Sequence, residues 1–252
     1  MQPAFEAMDS IWPDWFTTHR SKWIPQGLFI IYPMNCLSRR LEKTNTTLIN
    51  EMKKYYGSFL DFSDLEKKKM FLEGKGALVF DVRNRKIYSI VSPRCTEEAL
   101  NLFLVEINKV SIAPWKLVMW HGVDVKGNPI YHTDVMFTLF KDHALVSLEC
   151  VKDPKEKEML MSELTDASKN IDLPYKIMDV SYAELKNMCC NIFNLRNVEN
   201  ESWIFMSKTA YNGFNKQHLE ELMKYYKISY TEIDILESVG GGSCRCLLAE
   251  VF

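Results

Sequence analysis

Several things are scarce in this chain, and each scarcity closes a class of function. No run of 18 apolar residues occurs, so no membrane-spanning helix is expected. No excess of basic charge occurs: the formal net charge is -2, which argues against a nucleic-acid-binding surface. The opening stretch "MQPAFEAMDSIWPDW" lacks the basic flank and apolar core of an export signal, and a cytoplasmic location is the expectation. No zinc-ligand spacing occurs among the seven cysteines; "CC" at 189–190 and "CRC" at 244–246 fit no such pattern. In a reducing setting most of them are expected to be small buried apolar groups rather than disulfides. The Gly-x-Gly in "LEGKGALVF" is not completed into a dinucleotide fingerprint.

What remains is an ordinary globular composition, 47% hydrophobic and 25% charged over 252 residues, enough for a large core in one domain or two small ones. Its hydrophobic pattern repeats about every 50–60 residues. One unit reads "KGALVFDV", "KIYSIVS", the helical "TEEALNLFLVEINKV" and "WKLVMWHGV". The next reads "DVMFTLF", "ALVSLECV", the helix "PKEKEMLMSELTDASKN" and "YKIMDVS", with Asp153 and Pro154 suited to N-cap and first-turn positions. A further unit offers "LKNMCCNIFNL", "SWIFMSK", a helix from Asn215 and "SYTEIDIL". The early chain follows suit with "SIWPDWFTT", "GLFIIYPM", one helix through "SRRLEKTNTTLINEMKKYY" closed by Gly57, and "FLDFS". The spacing therefore predicts four strand–strand–helix–strand units, at about 9–62, 71–121, 131–180 and 186–236, and a final strand at 243–252. All belong to one domain spanning 1–252. Repeats of this size point to a propeller-like array rather than a doubly wound sheet.

In such an array the strands that begin each unit converge on one centre, which singles out the polar residues at unit starts. These are Asp9 and Asp14, Glu73, His132 with Asp134, and Cys246; in the remaining unit Asn187 or Asn191 stands there without obvious chemistry. "YHTDVMFTL" is expected to be a strand, which would place His132 and Asp134 on one face. That pair reads either as a solvated strand entrance or as a general acid/base beside a carboxylate that holds a cation. Glu73 reads either as a solvated turn residue or as a ligand-binding carboxylate. Arg94, between a strand and a helix in "SIVSPRCTEEA", reads either as a surface residue or as a two-pronged grip for a carboxylate.

Taken together, "IWPDWFTTH", "LEGKGALVFD", "SPRCTEEAL", "PIYHTDVMF" and "GGGSCRCLLAE" resemble, in order and spacing, the pentein superfamily of guanidino-group-modifying enzymes. The closest likeness is to its citrulline-utilisation hydrolase, amidinotransferase-like group. The resemblance implies an α/β-propeller with pseudo-fivefold symmetry. It implies Cys246 as nucleophile with Cys244 a bystander, His132 as acid/base and Glu73 as a further catalytic carboxylate. Asp134, Arg94, Asp14 and Asp9 would bind substrate. It implies a small guanidino or ureido amino acid as partner and chemistry that requires no metal or organic cofactor. Hydrolysis, amidino transfer and a non-catalytic binding module all remain open on these residues. A pentein ring has five units, and this chain opens at roughly the second. The expectations are an open ring, a shortened start or a gap filled by another chain; an open edge would invite homo-oligomers.

Overall fold

A computed structural model of the chain describes residues 8–11, 27–56, 58–170 and 174–248. Among the described residues the fold is mixed α/β, built on four three-stranded sheets, each made of strands consecutive in sequence. The first comprises β1 (Met8–Ile11), β2 (Leu28–Ile31) and β3 (Ser58–Asp61). β1 is antiparallel to β2, with Asp9 opposite Ile30, and β3 is parallel to β2. β2 reads LFII and is buried throughout, as a middle strand covered on both faces should be. Parallel pairing demands a crossover. It is made by a 3-10 segment, Leu37–Thr44, followed by α1 (Thr46–Tyr55). The single helix expected here is thus two. Asn45 breaks it, because its side chain accepts from Leu48 N and caps a new helix. α1 ends at Tyr55 with Tyr56 extended, and Gly57, expected to close it, lies outside the described residues.

The second sheet follows a short helix, α2 (Gly74–Ala77), and holds β4 (Val79–Asp81) and β5 (Lys86–Ile90). The chain then crosses through α3 (Glu97–Val110) to β6 (Lys116–Trp120) beside β5. Thr96 caps α3 by accepting from Ala99 N. Its inward face, Ala99, Leu100, Phe103 and Ile107, is fully buried. Burial of a side chain like Phe103 is worth about 1.5–3 kcal/mol.

The third sheet has β7 (Phe137–Leu139) antiparallel to β8 (His143–Val146), then α4 (Pro154–Thr165) and a parallel β9 (Lys176–Asp179). Asp153 caps α4 and Pro154 occupies its first turn, as their residue types predict. The fourth opens with α5 (Tyr182–Lys186) and pairs β10 (Phe193–Arg196) antiparallel to β11 (Ser202–Ser207). It crosses through α6 (Lys208–Gly213) and α7 (Lys216–Tyr225) to a parallel β12 (Lys227–Thr231). Two further helices, α8 (Asp234–Gly240) and α9 (Cys244–Leu247), follow.

The chain divides into two compact units, with the boundary between Met119 and Trp120 inside β6. The first has a core around Leu28, Ile30, Ile87 and Phe103; the second one around Leu145, Met178, Ile204 and Leu222. Among the described residues no helix is long and apolar enough to cross a membrane.

Two local expectations are corrected. His132 is extended but Thr133–Val135 is a 3-10 turn, closed by Val135 N to His132 O and Met136 N to Thr133 O, so strand alternation does not govern Asp134. The strand expected from 243 begins instead as the helical turn α9. The backbone N–H groups of Ser243, Arg245 and Cys246 are all taken by Asn191, which leaves no ladder for a strand to join.

Candidate active site

The site in the second unit grows from the end of α8. Gly241 takes the left-handed conformation, φ +75°, and donates its N–H to Glu237 O at 3.0 Å, a helix stop that favours glycine. Gly242 serves another purpose. A Cβ there would lie 2.7 Å from Cys246 Cβ and 2.9 Å from its sulfur, so only glycine lets the backbone pass over the thiol. Ser243, fully buried, anchors the loop by donating its hydroxyl to Glu237 Oε1 at 2.5 Å.

α9 then presents Cys246 on the wall of a cavity of about 340 Å³, beside Ile130, Tyr131, Val135, Asn191 and Gly242. Its thiol donates to Asp134 Oδ2 at 3.4 Å. Asn191 Nδ2 donates to the same sulfur at 3.1 Å. Asp134 is 1% exposed, and its Oδ1 is buried without a hydrogen bond among the described residues. Tyr131 fixes the opposite lip by donating its hydroxyl to Gly241 O at 3.0 Å.

His132 is buried on the turn that carries Asp134, its ring edge-on to Tyr131 at 4.9 Å between centroids. It is not on the cavity wall. Cys244 opens α9 but does not line the cavity, whereas Cys246 does. Arg245 directs its guanidinium to Thr138 Oγ1 at 3.3 Å. All seven cysteines are thiols. Burial pushes the Cys95 thiol up to about 12 and raises those of Cys150, Cys189 and Cys190 as well.

The first unit holds the other expected residues. Glu73 is wholly buried, not a solvated turn residue. Its Oε1 accepts from Asn35 N at 2.9 Å and Cys36 N at 3.2 Å. Its Oε2 faces Arg39 Nη1 at 3.4 Å and Arg94 Nη1 at 3.6 Å. Glu73 and Arg94 are therefore brought together, with Arg39 as a third member. Asp9 lies in β1, with only its backbone described, and Asp14 lies outside the described residues.

Two participants carry little local signal. Asn191 follows "CC" and precedes an apolar strand, and only its place at a unit start marks it. Arg39 sits in "LSRRLEK", which reads as a solvated helix face. Among the described residues no cluster of His, Cys, Asp or Glu is arranged to hold a metal ion.

A family model described as "N,N dimethylarginine dimethylhydrolase, eukaryotic" matches residues 1–252. The chain belongs to that family. Its resemblance to the pentein superfamily is thereby borne out, and the family is one of C–N hydrolases. No curated protein matches the chain. Among solved structures it is similar to apo ArgZ, an arginine dihydrolase from the ornithine–ammonia cycle in cyanobacteria. That match has a TM-score of 0.66 and 16% identity, covering 98% of this chain and 33% of that one. It is also similar to the N-terminal domain of an Asn-to-Ser ArgZ variant covalently bound to a reaction intermediate (TM-score 0.62, 17% identity, 87% and 69% covered). A third is a dimethylarginine dimethylaminohydrolase adduct with 4-chloro-2-hydroxymethylpyridine (TM-score 0.58, 15% identity, 92% and 74% covered). At these identities the likeness shows the fold. The chain spans a third of the length of full ArgZ.

Proposed function

We propose that this protein is a cysteine-dependent hydrolase acting on the guanidino or ureido carbon of arginine- or citrulline-like compounds through a covalent Cys246 intermediate. The observation that carries the reading is the Cys246 sulfur on a cavity wall, 3.4 Å from a buried carboxylate with an acceptor oxygen to spare. Membership of the dimethylarginine dimethylhydrolase family supports the same chemistry, as does the covalent intermediate observed on ArgZ.

In this reading Asp134 holds the substrate's N–H groups by charge-assisted hydrogen bonds. A guanidinium held there puts positive charge beside the sulfur and favours the thiolate. The thiolate attacks the planar carbon, forming the S–C bond. The C–N bond breaks as a proton passes to the departing nitrogen, a role the resemblance assigns to His132, which is buried on the turn that carries Asp134 rather than on the cavity wall. Water then gives a proton back to His132 and attacks the same carbon. The S–C bond breaks, the thiolate is restored, and the product keeps the new oxygen. Glu73 and Arg94 take the catalytic and carboxylate-binding roles that the resemblance implies, and substitution tests each of them.

The test is to incubate the full chain with arginine, citrulline or N,N-dimethylarginine, quench in acid, weigh the intact protein and map the modified peptide. An adduct on Cys246 with release of ammonia or amine is expected. Cys246→Ser and His132→Ala should each lower turnover by about 10³-fold or more, and Cys244→Ser should not. An added amine acceptor separates hydrolysis from amidino transfer by the product formed. Absence of an adduct on Cys246 with all three compounds overturns the reading in favour of a binding module; an adduct on Cys244 overturns the choice of nucleophile.

A further inference from the structure

We infer that Asn191 is a catalytic residue of this site, which donates an N–H to the Cys246 sulfur and, through its carbonyl, holds the turn carrying that sulfur. The inference rests on the reading of Cys246 as nucleophile.

A carboxamide has one acceptor oxygen with two lone pairs and two N–H donors. In Asn191 all of this capacity is used. Oδ1 accepts from Ser243 N at 3.1 Å and from Cys246 N at 3.3 Å. Nδ2 donates to the backbone oxygen of Asp134 at 3.3 Å and to Cys246 Sγ at 3.1 Å. The amide orientation follows from chemistry. Rotated by half a turn, its NH₂ would face two backbone N–H donors and its oxygen would face a carbonyl. The donor group must therefore point at the sulfur. The side chain is 2% exposed, so these bonds face no competition from bulk water.

Two consequences follow. A hydrogen bond donated to sulfur is stronger to the anion than to the neutral thiol, so it stabilises the nucleophilic form. The neighbouring Asp134 carboxylate opposes that form until a cationic substrate covers it. The other charged or titratable groups described around the thiol include Asp124, Lys186, Tyr131 and Tyr182 on the cavity wall, Glu237 holding Ser243, Arg245 directed to Thr138, and the ring of His132. Asn191 contributes a fixed donor to the sulfur without a charge of its own. Its second contribution is geometric. One amide ties α9 to the Asp134 backbone, so the thiol and the carboxylate keep their separation.

Asn191→Asp keeps the acceptor for Ser243 N and Cys246 N and removes the donor to sulfur; Asn191→Ala removes both. Iodoacetamide alkylation of Cys246, read by peptide mapping across pH, reports the thiolate without requiring turnover. In Asn191→Asp the alkylation profile should move to higher pH by about one unit, roughly a tenfold slower reaction at neutral pH. Asn191→Ala should show the same slowing, plus a lower thermal midpoint. Unchanged alkylation profiles in both variants overturn the inference. If neither variant folds, the wild-type protein still decides. The Asn191 side-chain amide NMR signal should titrate with Cys246 and stop doing so in Cys246→Ser, and a signal that does not titrate overturns the inference. Alkylation shifts together with failure of every guanidino and ureido substrate would refute the proposed reaction while leaving the role of Asn191 standing.

Discussion

Gly242 and Cys246 are packed so closely that a methyl group on the first would sit 2.7 Å from the Cβ of the second. That Cβ is fixed to the α9 backbone and cannot swing away as the end of a long side chain could. Gly242→Ala should displace the thiol and lower kcat by about 10²-fold, since shifts near 1 Å at a nucleophile cost on that order. Gly241→Asn should keep activity, because its Cβ meets nothing within 4 Å and asparagine tolerates the left-handed region. Steady-state kinetics on the two variants check this, and equal activity in Gly242→Ala and wild type would refute the packing argument.

Thiol reactivity should divide by environment. Cys95, Cys150, Cys189 and Cys190 are held protonated by burial, whereas Cys246 lines a cavity and Cys36 is partly exposed. Alkylation of the native protein at about pH 8 should label Cys36 and Cys246 and spare Cys95, Cys150, Cys189 and Cys190 until the chain unfolds. Arginine should protect Cys246 and not Cys36. Rapid labelling of Cys189 or Cys190 in the native state would contradict this.

Cys95 also makes a prediction for alkaline stability. Its thiol is raised from 9.0 to about 12 in the folded protein, chiefly by burial. Between those values the unfolded chain has lost a proton that the folded one keeps, so stability falls as pH rises. The stabilisation is complete below 9.0 and declines by up to about 1.4 kcal/mol per pH unit up to about 12. Urea unfolding from neutral to alkaline pH should show a shallower decline for Cys95→Ala than for wild type. Identical slopes would remove Cys95 from the account.

Glu73 separates two roles by two readouts. It is buried and faces the guanidinium groups of Arg39 and Arg94. Glu73→Gln removes the buried charge that faces both guanidinium groups, while Glu42 stays paired with Arg39 Nε at 3.0 Å, and should destabilise the fold by about 3 kcal/mol. A pure substrate role would instead lower kcat/KM and leave the unfolding midpoint in place. Chemical denaturation beside kinetics distinguishes the outcomes.

Short-range features were readable without coordinates. Thr96, Asp153 with Pro154, and Asn215 start helices because a cap bonds to N–H groups within three residues, so the information is local. The repeated order of strands was readable because hydrophobic period and length are local too. Asn45 was the exception: the same local chemistry, placed inside a helical pattern, split one helix from another. The turn at Thr133–Val135 departs from the expected strand: the backbone oxygen of Asp134 accepts from Asn191, 57 residues away, rather than from a neighbouring strand.

By itself the sequence determined the order of strands and helices, the Asp153–Pro154 helix start and the candidates Cys246, His132, Asp134, Glu73 and Arg94. Tertiary structure alone decided which of them meet. Asp134 reaches Cys246 across 112 residues of chain, Asn191 across 55, and Arg39 reaches Glu73 across 34. Contacts at such separations have no local signature. They depend on packing within each compact unit, which brings distant turns together, where a buried amide, carboxylate or guanidinium must find a partner or carry the full cost of desolvation.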